Sequence, residues 1–238
     1  MSAAKITRDF VSQFEDAKIF TYDDIPVTNK ASATIELSRL LKQGIVKKIS
    51  KGKFYKPKKR VFGEVAPSSN DTIQSYLKST DGNSYETGIN SFRQLGLTTQ
   101  LTTETTIATN KSYRKVKIGN INLKFVPKRV DASKDEIYLV QLLDAINDIK
   151  RIPATTPNEV VKYLKETIKK EPSENQMKLT KFALKYPPRT RAILGAILKE
   201  IGNKGCAFEL KSTLNPMTNF KIMIKEDVIQ DKKYWKFI

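Results

Sequence analysis

Nine basic residues lie between Lys42 and Arg60, namely Lys42, Lys47, Lys48, Lys51, Lys53, Lys56, Lys58, Lys59 and Arg60, with no acidic residue among them. Clustered ammonium and guanidinium groups suit phosphate neutralisation, in which each contact releases a condensed counterion and strengthens binding to a polyanion. A second constellation, Glu209-Leu210-Lys211, has the Glu-x-Lys pattern that can hold Mg2+ and activate water when an Asp stands on the preceding strand. The upstream acids Asp135, Asp144 and Asp148 fall in helical sequence instead. An ordinary strand edge is thus the expected role of Glu209 and Lys211, and a Mg-dependent nuclease is the weakest alternative. The chain has no histidine, which excludes Ser-His-Asp and Cys-His catalysis and imidazole metal ligation. Its one cysteine, Cys206, excludes an intramolecular disulfide framework and a multi-cysteine zinc site. Neither G-x-G-x-x-G nor G-x-x-x-x-G-K-[ST] occurs. No catalytic residue, metal ligand or cofactor is expected, and the chain is read as a non-enzyme.

The elements that carry the basic cluster follow from apolar spacing. Ile6, Phe10, Val11 and Phe14 recur at helical intervals, predicting a helix that ends near Lys18. Thr21 to Ile25 reads as a capped short turn of helix stopped by Pro26. A third helix over Lys30 to Gln43 shows Ala33, Leu37, Leu40 and Leu41 on one face and ends at Gly44. Ile45 to Ile49 and Lys53 to Lys56 are strand-like runs joined by Ser50-Lys51-Gly52, a hairpin in the position of a wing. The expectation is a winged helix-turn-helix at residues 1–62. Lys30, Ser32 and Thr34, with Ile35 and Glu36, would face base edges, Arg39 and Lys42 would flank the backbone, and Lys47, Lys48, Lys51, Lys53 and Lys56 would lie along phosphates.

Pro67 to Thr72 has linker composition, so residues 63–238 are read as a separate α+β region. It begins with short helix candidates at Ile73 to Lys78 and Thr87 to Leu95. An antiparallel β-meander at about 98–126 follows, with Gly119-Asn120 as a hairpin turn. Helices fill about 135–202, broken at Pro153 and Pro157, and a closing strand pair spans about 206–225, from Ala207 to Leu210 and Phe220 to Ile224. The fold class is thus α+β. A second acid-free stretch runs from Thr105 to Val130 with Lys111, Arg114, Lys115, Lys117, Lys124, Lys128 and Arg129, either an extension of the DNA footprint, a contact for structured RNA or an exposed sheet face, with Lys111, Arg114, Lys115 and Lys117 as the candidate secondary nucleic-acid surface. Tyr234, Trp235 and Phe237 are expected to pack into a core.

The whole chain carries 43 Lys and Arg against 25 Asp and Glu, a net charge of +18, which makes double-stranded DNA the leading partner. No segment approaches the roughly 18 uncharged apolar residues of a membrane span, and the first residues lack an apolar signal core. A cytoplasmic protein, monomeric in solution rather than an obligate oligomer and not associated with membranes, is expected.

The run from Leu40 through Gly44-Ile45-Val46-Lys47-Lys48-Ile49 to Lys51-Gly52-Lys53-Phe54-Tyr55-Lys56-Pro57, then Gly88 and Leu95-Gly96-Leu97-Thr98-Thr99-Gln100, resembles AbiE-type (AbiEi-like) antitoxins of bacterial type IV toxin-antitoxin systems. Tyr186-Pro187 and Leu214-Asn215-Pro216 fit the same pattern less specifically. The resemblance implies a winged helix that represses its own operon and a C-terminal region that counters a nucleotidyltransferase-type toxin. A plain winged-helix transcriptional regulator is the alternative. No antitoxic residue follows from the resemblance.

Overall fold

Ser2 starts the first helix, α1 (Ala3–Gln13), its side chain accepting from the Lys5 amide. After α1 the backbone turns extended at Phe14, and Ala17 donates its amide to the Lys56 carbonyl at 2.7 Å. The helix therefore stops a turn before Lys18, because residues 14–18 lead into a short strand, β1 (Ile19–Thr21), whose three residues are too few to give a periodic signal. Thr21 and Asp24 form a reciprocal capping box around one 3-10 turn at Tyr22–Asp24. Asn29 caps α2 (Lys30–Lys42) by accepting from the Ala31 and Ser32 amides, and Gly44, at φ +71°, supplies the left-handed residue that ends it.

Strands β2 (Lys47–Ser50) and β3 (Lys53–Tyr55) follow, then a second two-stranded ribbon of β4 (Lys58–Arg60) and β5 (Gly63–Val65). The first three strands form an antiparallel sheet of order β1-β3-β2, with Phe20 opposite Phe54 and a register shift between Lys48 and Ser50. Val11, Phe20, Ile25, Leu37, Leu40, Val46 and Phe54 make one small core, with the Phe10 and Phe14 rings 5.5 and 5.0 Å from that of Phe20. The computed structural model describes residues 2–61, 63–78 and 84–238.

Pro67 to Thr72 does not form an extended linker, because Ser69 already begins α3 (Ser69–Lys78). Ser68 receives the Asp71 amide, Lys18 pairs with Asp71 at 2.8 Å, and Tyr76 donates to the Ser50 hydroxyl at 2.8 Å. Polar composition here marks a helix start and its ties to β1 and β2. The chain forms two compact units, one of Met1–Gly82 with Val116–Leu123, the other of Asn83–Lys115 with Lys124–Ile238.

The second stretch of sheet comprises β6 (Tyr85–Thr87), β7 (Glu104–Thr109), β8 (Arg114–Ile118) and β9 (Ile121–Pro127), with α4 (Ile89–Gln94) between β6 and β7. Its order is β6-β7-β9-β8, so the meander expected in sequence order is rearranged. Burial explains the order: β7 buries four of its six residues, whereas β8 exposes Arg114, Lys115 and Lys117, and a cationic strand belongs at an edge.

Five helices complete the unit: α5 (Ile137–Asn147), α6 (Pro157–Lys170), α7 (Ser173–Ala183), α8 (Pro188–Glu200) and α9 (Lys204–Ser212). Pro157 and Pro188 occupy first-turn positions, where a missing N–H costs nothing. The closing strand pair is not present. Ala207 to Leu210 lies within α9, because Asn203 caps the Cys206 amide and Cys206, Ala207 and Leu210 turn inward at helical spacing. Phe220 instead bridges to Phe237, donating its amide to the Lys236 carbonyl at 2.7 Å. Helix α8 buries every residue from Ala192 to Leu198, and Trp235, 1% exposed, covers it at Gly195.

A Cβ at position 195 would overlap the Trp235 indole, and neither backbone nor ring is free to retreat. Gly195→Ala is expected to destabilise the protein by about 1–3 kcal/mol. Urea unfolding followed by the fluorescence of Trp235, the one tryptophan in the chain, measures it, and an unchanged midpoint would refute this packing.

Candidate nucleic-acid interface

Helix α2 divides into two faces. Ala33, Glu36, Leu37 and Leu40 are buried, whereas Thr34, Ile35, Ser38, Arg39 and Lys42 are exposed, a stripe running the length of the helix. Thr34 donates to the Lys30 carbonyl at 2.9 Å and Ser38 to the Thr34 carbonyl at 2.9 Å, each leaving its oxygen able to accept. Ser32 is half-buried, next to the cap. Ile35 is 59% exposed, an apolar side chain among polar ones.

Glu36, expected with the exposed residues, is 5% exposed. Its carboxylate is ion-paired with Arg8 of α1 at 3.1 Å and accepts a hydrogen bond from Arg39 at 3.2 Å. A charge that deep is tolerated because both oxygens are paired. Arg39 is therefore held along α2 rather than free to swing. Lys30 is ion-paired with Asp23 of the preceding turn.

The basic cluster separates into committed and available cations. Lys53 is 6% exposed; its ammonium donates to the Ser75 carbonyl at 2.6 Å and lies 4.7 Å from the centre of the Tyr76 ring. Lys56 donates to the Ser12 and Phe14 carbonyls at 3.0 Å each and pairs with Asp16 at 2.9 Å. Both lysines fix α1 and α3 to the sheet and are turned away from the face expected for them. Lys47 is paired with Glu64 of β5, and this hydrogen bond holds the Glu64 carboxyl below its ordinary range and raises the lysine. Lys42, Lys48 and Lys51 are exposed and make no ion pair among the described residues, as do Lys58, Lys59 and Arg60 on β4.

In the second acid-free stretch, Lys111 and Lys117 are exposed, Lys115 pairs with Glu104 at 3.1 Å, and Arg114 lies 4.4 Å over the Phe125 ring. The Glu104 hydrogen bond raises Lys115 above the ordinary lysine value. Glu209 and Lys211, expected on a strand, stand on α9, where residues two apart point in different directions. Lys211 donates to the Tyr234 carbonyl and lies 5.5 Å from the Trp235 ring, and burial lowers it below the ordinary lysine value. Among the described residues no group of three or more His, Cys, Asp or Glu is placed to hold a metal ion, and no helix is long and apolar enough to cross a membrane.

The arrangement of helices and sheets is shared with a solved structure, the RV2827C protein from Mycobacterium tuberculosis. The two superpose with a TM-score of 0.50 at 10% sequence identity, over 99% of this chain and 90% of that one, a likeness of fold alone. By sequence the chain belongs to the Family of unknown function (DUF6088), whose model matches residues 5–176. No curated protein matches it.

Which lysines are structural is open to a direct test. Lys56→Ala removes the donor to two carbonyls and is expected to cost about 1–3 kcal/mol. Lys48→Ala and Lys51→Ala, at exposed positions, are expected to stay within about 0.5 kcal/mol of the parent. Chemical denaturation followed by circular dichroism distinguishes them, and equal effects at all three positions would contradict the separation.

Proposed function

We propose that the first unit is a winged helix-turn-helix that binds double-stranded operator DNA, with α2 in the major groove and the β2–β3 hairpin as its wing. The observation that carries this reading is the exposed stripe of α2, from Thr34 and Ile35 through Ser38 to Lys42, followed by the exposed Lys48 and Lys51 on the adjoining hairpin. The element sequence α1, β1, 3-10 turn, α2, β2, β3 and the sheet order β1-β3-β2 support it. In this docking Ser32, Thr34 and Ser38 meet base edges, Ile35 meets a thymine methyl, and Lys42, Lys48 and Lys51 meet phosphates. Lys30, Arg39 and Lys47 reach DNA only by giving up or sharing Asp23, Glu36 and Glu64.

The wider role rests on the resemblance at Gly44 to Pro57 and Leu95 to Gln100. It is that of an antitoxin and transcriptional autorepressor of a type IV toxin-antitoxin operon, countering a nucleotidyltransferase-type toxin. No catalytic activity belongs to this role.

Fluorescence anisotropy against the protein's own upstream DNA at about 150 mM salt tests the first part. Lys48→Ala and Lys51→Ala are expected to weaken all duplexes alike and to lower the salt slope by about 0.9 per lost phosphate contact. Thr34→Ala and Ile35→Ala are expected to narrow the preference for operator over random DNA by about 1–3 kcal/mol where a base contact is lost. Equal affinity of the unmodified protein for operator and scrambled DNA would defeat the reading.

The antitoxin part is tested with the full chain, since Val116–Leu123 belongs to the first unit and a simple cut would divide it. A Lys48→Ala/Lys51→Ala protein expressed from a foreign promoter is expected to lose repression yet still protect cells from the neighbouring toxin. Failure of the unmodified protein to protect would leave a plain transcriptional regulator.

A further inference from the structure

The second unit contains a cavity of about 670 Å³ that the DNA-binding reading does not use. Its walls come from β6, the start of α4, β7, the end of β9 and the end of α5. A volume of this size falls within the range of small-molecule sites and far exceeds the space of a bare phosphate ion.

One wall of the cavity carries an acceptor fixed in place. The Asp144 carboxylate receives Thr87 at 2.7 Å and Tyr85 at 3.1 Å on one oxygen, and Tyr186 at 2.7 Å on the other. The oxygen facing Tyr186 keeps a lone pair, so Asp144 can accept one more donor. Burial pushes its carboxyl above the ordinary aspartate value, and a donor supplied by a ligand would favour the charged form.

The cavity also collects positive charge. Lys124, Lys128, Arg129, Arg151 and Lys185 line it, against Glu104, Asp144 and Asp148. Lys128 is engaged by Asp131 at 2.6 Å and Arg151 by Asp148 at 3.7 Å. Arg129 and Lys185 are exposed and make no ion pair among the described residues, and Arg129 lies 5.5 Å from the centre of the Tyr186 ring. The apolar side chains of Phe92, Ile89 and Val126 complete the lining. Such a lining suits a molecule that combines hydroxyl or amine donors, an apolar face and negative charge.

We propose that this cavity binds a nucleotide, with a sugar hydroxyl or base amine donating to Asp144 and the phosphate held by Arg129 and Lys185. The ligand is either a free nucleotide or the terminal nucleotide of a single RNA strand, which present the same chemistry. The proposal does not depend on the DNA-binding reading, since every wall residue belongs to the second unit.

Isothermal titration calorimetry of the full-length protein at about 150 mM salt tests it, with nucleoside mono- and triphosphates, ribose 5-phosphate, inorganic tripolyphosphate and a short 5′-phosphorylated RNA as probes. Saturable binding of a nucleotide or of the RNA is expected, weakened at least about tenfold in Arg129→Gln/Lys185→Gln. The same binding is expected to be unchanged in Lys48→Ala/Lys51→Ala, which separates this site from the first unit. Both residues are exposed and make no ion pair among the described residues, so a thermal midpoint close to the parent's in Arg129→Gln/Lys185→Gln accompanies the expected result. Binding by RNA but not by free nucleotides supports the strand end as the source, and the opposite supports the free nucleotide. Tripolyphosphate binding as tightly as any nucleotide, an affinity unmoved by Arg129→Gln/Lys185→Gln, or no binding of any probe up to about 5 mM would overturn the proposal.

Discussion

A lysine ammonium satisfies backbone carbonyls or it satisfies phosphates, and the first unit depends on the first use. Lys56 gathers the Ser12 and Phe14 carbonyls and Asp16, at the point where α1 ends and the chain must turn into β1. Lys53 does the same for α3 at Ser75. Carbonyls at a helix end have no intrahelical partner, and leaving them unsatisfied is costly where water is excluded. The ends of α1 and α3 are thus tied to the sheet by Lys56, which is half-buried, and Lys53, which is buried.

This commitment limits what local charge reveals. A count of basic residues between Lys42 and Arg60 treats all nine alike, although Lys53 and Lys56 are structural, Lys47 is shared with Glu64, and Lys42, Lys48 and Lys51 stand exposed. Strand alternation could not separate them, because Lys53 and Phe54, adjacent on β3, are both buried. Their partners Ser12, Phe14 and Ser75 lie tens of residues away, where no short-range pattern connects them. The exposed Ile35 was readable from helical spacing alone, since it falls opposite Ala33, Leu37 and Leu40.

The mixed α+β class and most helices were legible for familiar reasons: Gly44 ends α2, Pro157 breaks the helical region and opens α6, and apolar residues repeat on one side. Three features were not. Ala207 to Leu210 has strand-like composition, yet burial of Cys206, Ala207 and Leu210 selects a helix. The Asp144 cavity joins residues from 85 to 186, and its three hydroxyl donors carry no recognisable spacing. Sheet order was also hidden, because nothing local to β8 states that β9 will come between it and β7.

The covering of α8 by Trp235 sets an order of events during synthesis. The ribosome releases the chain from its N-terminal end, and the first unit has all its residues once Leu123 has emerged. The second unit has α8 available long before the segment that closes over Gly195 and the Phe220–Phe237 bridge exists. Until that segment arrives, the apolar side of α8 at Gly195 has no cover, so this part of the core is assembled after the helices that precede it in the chain.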